Sequence, residues 1–208
     1  MPFTALIPSA GRSSRMGSAK AWLEIDGESL LQRIARTAVE AGAHAVVVVA
    51  GAEDEVEGEP TLVTRIDVAT RVTLPGEARL SVAVAAPDGQ LIDSIRAGYD
   101  LVGEGSDLLL WPVDAPFADA ATVERLADAL GSRRDAVAVP MVGDSRGHPV
   151  LFGEKVAAEL ATPEADPGAH AVVRKDPSRV ITVPCDDRRL TAALNTPADA
   201  AALGLRVP

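Results

Sequence analysis

The sequence predicts an α/β fold of Rossmann-like, three-layer form, in which a mostly parallel sheet lies between two layers of helices. Three observations predict it. Strand-like apolar runs alternate with segments of helical periodicity along most of the chain. Those runs are continuously apolar, as in strands covered on both faces. A hydrophobic share of 47 % with only 3 % aromatic leaves Ala, Val, Leu and Ile to build the core.

The first strand is Phe3 to Ile7. Ser29 and Gln32 form a capping-box pair that opens a helix over Leu30 to Ala41, and Gly42 stops it. Ala45 to Ala50 supplies the next strand. Residues 52–79 hold β-prone runs, Val63 to Ile66 and Val68 to Thr73, punctuated by Gly58, Pro60, Pro75 and Gly76; they are read as an excursion at the sheet edge. The alternation resumes with strand Leu80 to Ala85, helix Leu91 to Leu101, strand Leu108 to Trp111, helix Ala120 to Leu130 and strand Ala136 to Val139. Thr162 to Gly168 reads as a surface loop, Ala169 to Lys175 as a short helix, and Val180 to Val183 as a strand. The length of 208 residues demands no second domain, so residues 1–208 are expected to form one.

Charge and cysteine usage narrow the function. A net charge of −10 opposes broad attraction to nucleic acid or anionic membranes, so cations act here by position. Glu53, Asp54, Glu55, Glu57 and Glu59 read as a solvated segment. The single cysteine, Cys185, excludes an internal disulfide and fits a structural thiol in a reducing compartment. The N-terminus has no leader pattern, and the apolar run Ala43 to Gly51 is too short to span a bilayer. A cytoplasmic protein, with no membrane contact, is expected.

Two loops carry chemistry. Pro8 to Lys20 follows the first strand and is rich in small residues, which let backbone N–H groups approach phosphate oxygens. Arg12 or Arg15 can bind two oxygens at once, and Lys20 adds a point charge. The loop has neither the P-loop spacing nor the dinucleotide spacing, so alone it reads better as a turn; Arg15 followed by Lys20, two cations in a chain of net negative charge, raises it above that. Pro112-Val113-Asp114-Ala115-Pro116 follows a second apolar strand. Ligands of open α/β sheets bind at the carboxyl ends of strands, so both loops converge on one crevice. A lone acid facing a cationic loop suits a ligand of the Mg²⁺ that a triphosphate brings with it; the alternative is a turn former beside proline.

Five motifs in order make the chain similar to the MobA/MocA-like nucleotidyltransferases, over nearly its whole length. They are Ala10-Gly11-Arg12-Ser13-Ser14-Arg15-Met16-Gly17 with Lys20; Ser94-Ile95-Arg96-Ala97-Gly98; Pro112 to Pro116; Gly147-His148-Pro149-Val150-Leu151-Phe152; and Asn195-Thr196-Pro197-Ala198-Asp199. The resemblance implies a nucleotide-diphospho-sugar transferase-like fold and a transfer of NMP from an NTP to a phosphorylated acceptor, molybdopterin, with release of pyrophosphate. It implies nucleotide binding by Ser9, Ala10, Gly11, Arg12, Ser13, Arg15, Gly17 and Lys20, joined by Gly89 and Ser94. Arg15, Lys20 and Asp114 take the catalytic roles, Asp114 and Asn195 the metal, and His148 the acceptor side.

The branch is mixed. Ala10, the Arg-Ser-Ser-Arg wording and Gly-His-Pro resemble the cytidylyltransferase branch, so CTP is favoured over GTP; Asn195-Thr196-Pro197 is closer to the guanylyltransferase branch. Pro8 to Gly11 is also similar to the isoprenoid cytidylyltransferases, whose arginine is replaced here by Leu91, and Ala193 stands where an acid is frequent. A sugar phosphate or methylerythritol phosphate acceptor and a non-catalytic nucleotide-binding module remain alternatives. The implied partners are the NTP, a small phosphorylated acceptor and a molybdoenzyme, with the chain as monomer or homodimer.

Overall fold

The computed structural model describes residues 2–10, 20–51, 75–86, 89–162, 165–166 and 168–203. A central sheet runs in the order β10-β7-β9-β6-β1-β4-β5. Its strands are β1 (Phe3–Pro8), β4 (Ala43–Gly51), β5 (Arg79–Ala85), β6 (Asp107–Leu110), β7 (Val137–Val142), β9 (Val150–Phe152) and β10 (Val180–Pro184), while β8 (Ser145–Arg146) folds back on β7. β9 pairs antiparallel with both β6 and β7; the pairs β1–β4, β1–β6, β4–β5 and β7–β10 are parallel. β2 (Glu24–Ile25) and β3 (Glu28–Ser29) form a separate small hairpin.

Side chains of each strand alternate between two apolar layers, which is why the strands read as unbroken apolar runs. Ala5, Ile7, Val46, Val48 and Leu109 face one layer, whereas Leu6, Val47, Val49, Leu108 and Leu110 face the other. The first layer is closed by α1 (Leu30–Glu40) and α3 (Ala120–Leu130), and the second by α2 (Leu91–Tyr99) and α4 (Glu154–Ala157). Further along lie α5 (Ala169–Lys175) and α6 (Pro197–Ala202).

Local signals explain the element ends. The capping box at α1 is formed: the Gln32 N–H donates to Ser29 Oγ, and Ser29 N–H to Gln32 Oε1, both at 3.2 Å. Gly42 follows the helix at φ +100°, where a side chain would be strained. α2 ends at Tyr99, two residues before the expected end, because Leu101 and Val102 donate to Gly98 and Tyr99 in a tighter terminal turn. β6 begins at Asp107 and β7 extends to Val142. Of the expected edge excursion, residues 52–74 lie outside the described residues, and 75–79 lead into β5.

Gly98 is where α2 meets the sheet. A Cβ placed there would lie 2.3 Å from Leu6 Cδ1 and 2.6 Å from Val49 Cγ2. Glycine to alanine inside a helix ordinarily stabilises by about 1 kcal/mol, but overpacking costs about 1–3 kcal/mol and wins at so close a contact. Gly98→Ala is therefore expected to lower the urea midpoint; an unchanged or raised midpoint would show that α2 can lift off the sheet freely.

Candidate active site

The carboxyl ends of β1 and β6 lie side by side, and the chain beyond each is pinned to the other. Trp111 N–H donates to Leu6 O at 2.9 Å and Val113 N–H to Pro8 O at 3.3 Å. The turn after β6 closes on itself: Ala115 N–H donates to Pro112 O at 3.1 Å, and the fully buried Trp111 gives its indole N–H to Ala115 O at 2.8 Å. Asp114 is thereby held at the tip of a fixed turn.

The C-terminal segment docks on that turn. Leu194 N–H donates to Asp114 O at 2.8 Å. Beyond it the Asp199 carboxylate accepts the N–H groups of Asn195 at 2.9 Å and Thr196 at 2.7 Å, and Thr196 caps α6. These hydrogen bonds, that from Asn195 first, hold the Asp199 carboxyl below the usual carboxylate range. Asn195 is thus fixed by its backbone while its side chain is left for the site.

Lys20 meets both. It opens the 3₁₀ turn Lys20–Trp22, and its Nζ lies 3.1 Å from Asn195 Oδ1 and 3.5 Å from Asp114 Oδ2. Two hard oxygens from segments far apart in sequence therefore converge on one cation. That donor set suits Mg²⁺, which is usually held by one or two protein oxygens and completed by phosphate and water. Among the described residues no group of three or more His, Cys, Asp or Glu could hold a metal.

A crevice of about 380 Å³ opens over this cluster, within the range of small-ligand sites. Ser9, Ala10, Lys20, Gly89, Ser94, Asp114 and His148 line it, so these seven sequence-derived positions come together, and Asn195 joins them through Lys20. Gly11, Arg12, Ser13, Arg15 and Gly17 lie outside the described residues. Ser9 serves as wall: its N–H and its hydroxyl both donate to Val49 O at 2.9 Å, so neither is directed at a phosphate. Gly89 N–H is likewise engaged, with Ala86 O at 3.1 Å.

Sequence reasoning missed Gln90 at the start of α2, and it named Pro8, Leu91, Pro112, Val113 and Ala193 without giving them a place in the site that they also line. The legible signal for Gln90 was its cap, in which its N–H donates to Asp93 Oδ2 at 2.7 Å. His148 is largely buried. Burial pulls its imidazole below the usual histidine value, and the charge of Asp114 offsets this in part. Its neutral form therefore prevails at neutral pH.

A doubly wound α/β sheet with a lysine and a carboxylate at a crevice beside the carboxyl ends of its strands defines a ligand-binding α/β domain. The profile of the MobA-like NTP transferase domain matches residues 5–182, and the chain belongs to that family. It is 30 % identical over 138 residues to a 2-C-methyl-D-erythritol 4-phosphate cytidylyltransferase of Rhodococcus jostii, covering 65 % of this chain and 54 % of that protein. It is also 30 % identical over 153 residues to a molybdenum cofactor guanylyltransferase of Rhizobium rhizogenes, covering 72 % of this chain and 63 % of the relative. The chain thus spans about half to two thirds of the length of these two relatives.

Solved structures share the fold. Rv0371c from Mycobacterium tuberculosis superposes with a TM-score of 0.76 at 23 % identity, covering 98 % of both chains. A nucleotidyl transferase from Methanothermobacter gives 0.73 at 20 % identity, covering 97 % of this chain and 95 % of its own. No helix among the described residues is long and apolar enough to cross a membrane.

Proposed function

We propose that the chain is a nucleotidyltransferase that moves a nucleoside monophosphate from an NTP, CTP by preference, to a phosphorylated acceptor of the molybdopterin kind. The observation that carries this reading is the convergence of Lys20, Asp114 and Asn195 at the mouth of the crevice between β1 and β6. An acceptor phosphate oxygen attacks the α-phosphorus, the bond from that phosphorus to the β-phosphate oxygen breaks, and pyrophosphate leaves. The nucleophile is already ionised near neutral pH, so no side chain has to remove a proton from it.

The chain's own residues position and neutralise. Lys20 lays its ammonium against the triphosphate, and Gly11, Arg12, Ser13, Arg15 and Gly17 wrap it with N–H groups and guanidiniums. The wall formed by Ala10, Gly89 and Ser94 orients the nucleoside. Asp114 and Asn195 are the residues that would hold Mg²⁺, which when bound neutralises triphosphate charge and polarises the α-phosphoryl group. A divalent ion is in keeping with the solved manganese complex of Rv0371c. Positioning and charge stabilisation account for most of the rate in phosphoryl chemistry, and this site offers both.

Relatives on the CTP and GTP sides both match, and Asn195 itself resembles the GTP side. Calorimetric titration of the four NTPs with Mg²⁺ is the test. CTP is expected to bind at least about tenfold more tightly than GTP; the reverse order assigns the guanylyl branch, and equal weak binding of all four overturns the nucleotide reading.

A further inference from the structure

Lys20 has two calls on its ammonium and cannot answer both at once. The triphosphate takes it in the nucleotidyl-transfer reading, yet Nζ lies 3.1 Å from Asn195 Oδ1 and 3.5 Å from Asp114 Oδ2, the two oxygens that would hold Mg²⁺. Magnesium takes its oxygens at about 2.0–2.1 Å, so an ion on Asn195 Oδ1 would stand at most about 5 Å from an ammonium left in place. The ammonium would also engage the lone pairs that the ion needs. A double positive charge and a single one this close repel strongly in a partly buried site, where salt and water screen them less than at an open surface. Lysine and metal therefore exclude each other on this pair of oxygens.

The two sides differ in freedom. Main-chain bonds set the oxygens in place: Leu194 N–H donates to Asp114 O at 2.8 Å, and the Asp199 carboxylate accepts the N–H groups of Asn195 and Thr196. Lys20 instead carries its charge on a flexible four-carbon stem that starts from the turn Lys20–Trp22. That side chain lines the crevice with Ser9 and Ala10, so the ammonium can swing along the wall while the backbone stays where it is. Exchange of one cation for the other moves the lysine, not the pair.

We infer that Lys20 is a surrogate for the divalent ion: it occupies the metal's place on Asp114 and Asn195 until a triphosphate draws the ammonium onto its phosphates, which makes metal binding to these oxygens conditional on the nucleotide. The inference rests on the nucleotidyl-transfer reading and adds an order of events to it. A triphosphate offers Lys20 more anionic oxygens than the pair does, and it brings the ion that takes the vacated place. Asp114 thus faces a cation at every stage. Because coupling between two binding events is reciprocal, whatever removes Lys20 from the pair tightens the metal.

Mn²⁺ is the probe, since it shares magnesium's preference for carboxylate and carbonyl oxygens and its free form is counted by electron paramagnetic resonance. It is titrated into the full chain, into Lys20→Met and into the double variant Lys20→Met/Asp114→Ala, with a thermal melt of each; Lys20→Gln replaces the methionine variant should that one fail to fold. Without nucleotide, Lys20→Met is expected to bind one Mn²⁺ at least about tenfold more tightly than the wild-type chain, within the span of coupling between sites, and the double variant to lose that gain. Adding CTP to the wild-type chain should open the site, seen as faster water-proton relaxation than Mn²⁺ and CTP give together without protein. Equal Mn²⁺ binding by the wild-type chain and Lys20→Met overturns the inference and leaves the nucleotide reading intact. A gain that survives the loss of Asp114, or bound CTP that opens no site, overturns it as well. An Asp114-dependent gain in a chain that binds no NTP upholds the exclusion of metal by lysine and removes the transfer reading instead.

Discussion

Asp114→Ala is expected to abolish metal-dependent pyrophosphate release and to leave the fold in place. The two halves of that expectation have separate physical grounds. Structurally, the turn that carries Asp114 is held by main-chain bonds, Val113 N–H to Pro8 O and Leu194 N–H to Asp114 O, which alanine keeps. The side chain is one third exposed and its ion pair with Lys20 spans 3.5 Å. Such a pair contributes about 0–1 kcal/mol, so thermal unfolding should move by only a few degrees.

Chemically, among the described residues that line the crevice no other carboxylate stands beside Lys20 to replace it. A bound metal supplies several kcal/mol of charge stabilisation, so its loss corresponds to about 10³-fold or more in rate. A coupled pyrophosphate assay across a Mg²⁺ series, read beside a thermal melt, separates activity from folding. Turnover that persists at wild-type level with magnesium present would sink the metal assignment. Asp114→Asn retains one oxygen and should recover part of the rate only at raised Mg²⁺.

What the sequence made legible follows from the range of each signal. β4 is readable because Val46 to Val49 are buried on alternating faces and so cannot tolerate a polar residue. The α1 cap is readable because Ser29 and Gln32 bond across three residues. Asp114 and Lys20 were identified by placement after strands, and the structure brings them together across 94 positions. The strand β9 was not legible: Val150–Phe152 is too short to show a period, and its antiparallel place between β6 and β7 is fixed by tertiary pairing. β7 runs past its expected end at Val139 through Pro140, a residue that lacks an N–H and ordinarily argues against a strand. The meeting of Asn195 with Lys20 spans 175 positions, and only a family resemblance pointed to it.

Lys20→Ala is the companion expectation, and it tests whether charge or mere space explains the crevice. Lys20 stands on a short rigid connection: Leu23 N–H donates to Lys20 O at 3.1 Å, and Leu30 N–H at the start of α1 donates to Leu23 O at 2.8 Å. The ammonium is thus delivered to Asn195 and Asp114 by backbone that truncation leaves alone. One pre-placed charge-stabilising group is worth about 2.7–4 kcal/mol in the transition state, which is about 10²–10³ in kcat. Because negative charge grows on the leaving pyrophosphate as the reaction proceeds, kcat and kcat/KM for the NTP should fall together, rather than KM alone rising. Lys20→Arg is expected to recover little, since a longer, planar guanidinium does not reproduce the compact point charge that an ammonium sets against the triphosphate. Steady-state kinetics on the two variants, with the NTP varied at saturating acceptor, decide the matter. A variant that loses thermal stability while keeping both constants would make this lysine a structural tie between the first loop and the C-terminal segment, and would return Pro8 to Lys20 to the status of a turn.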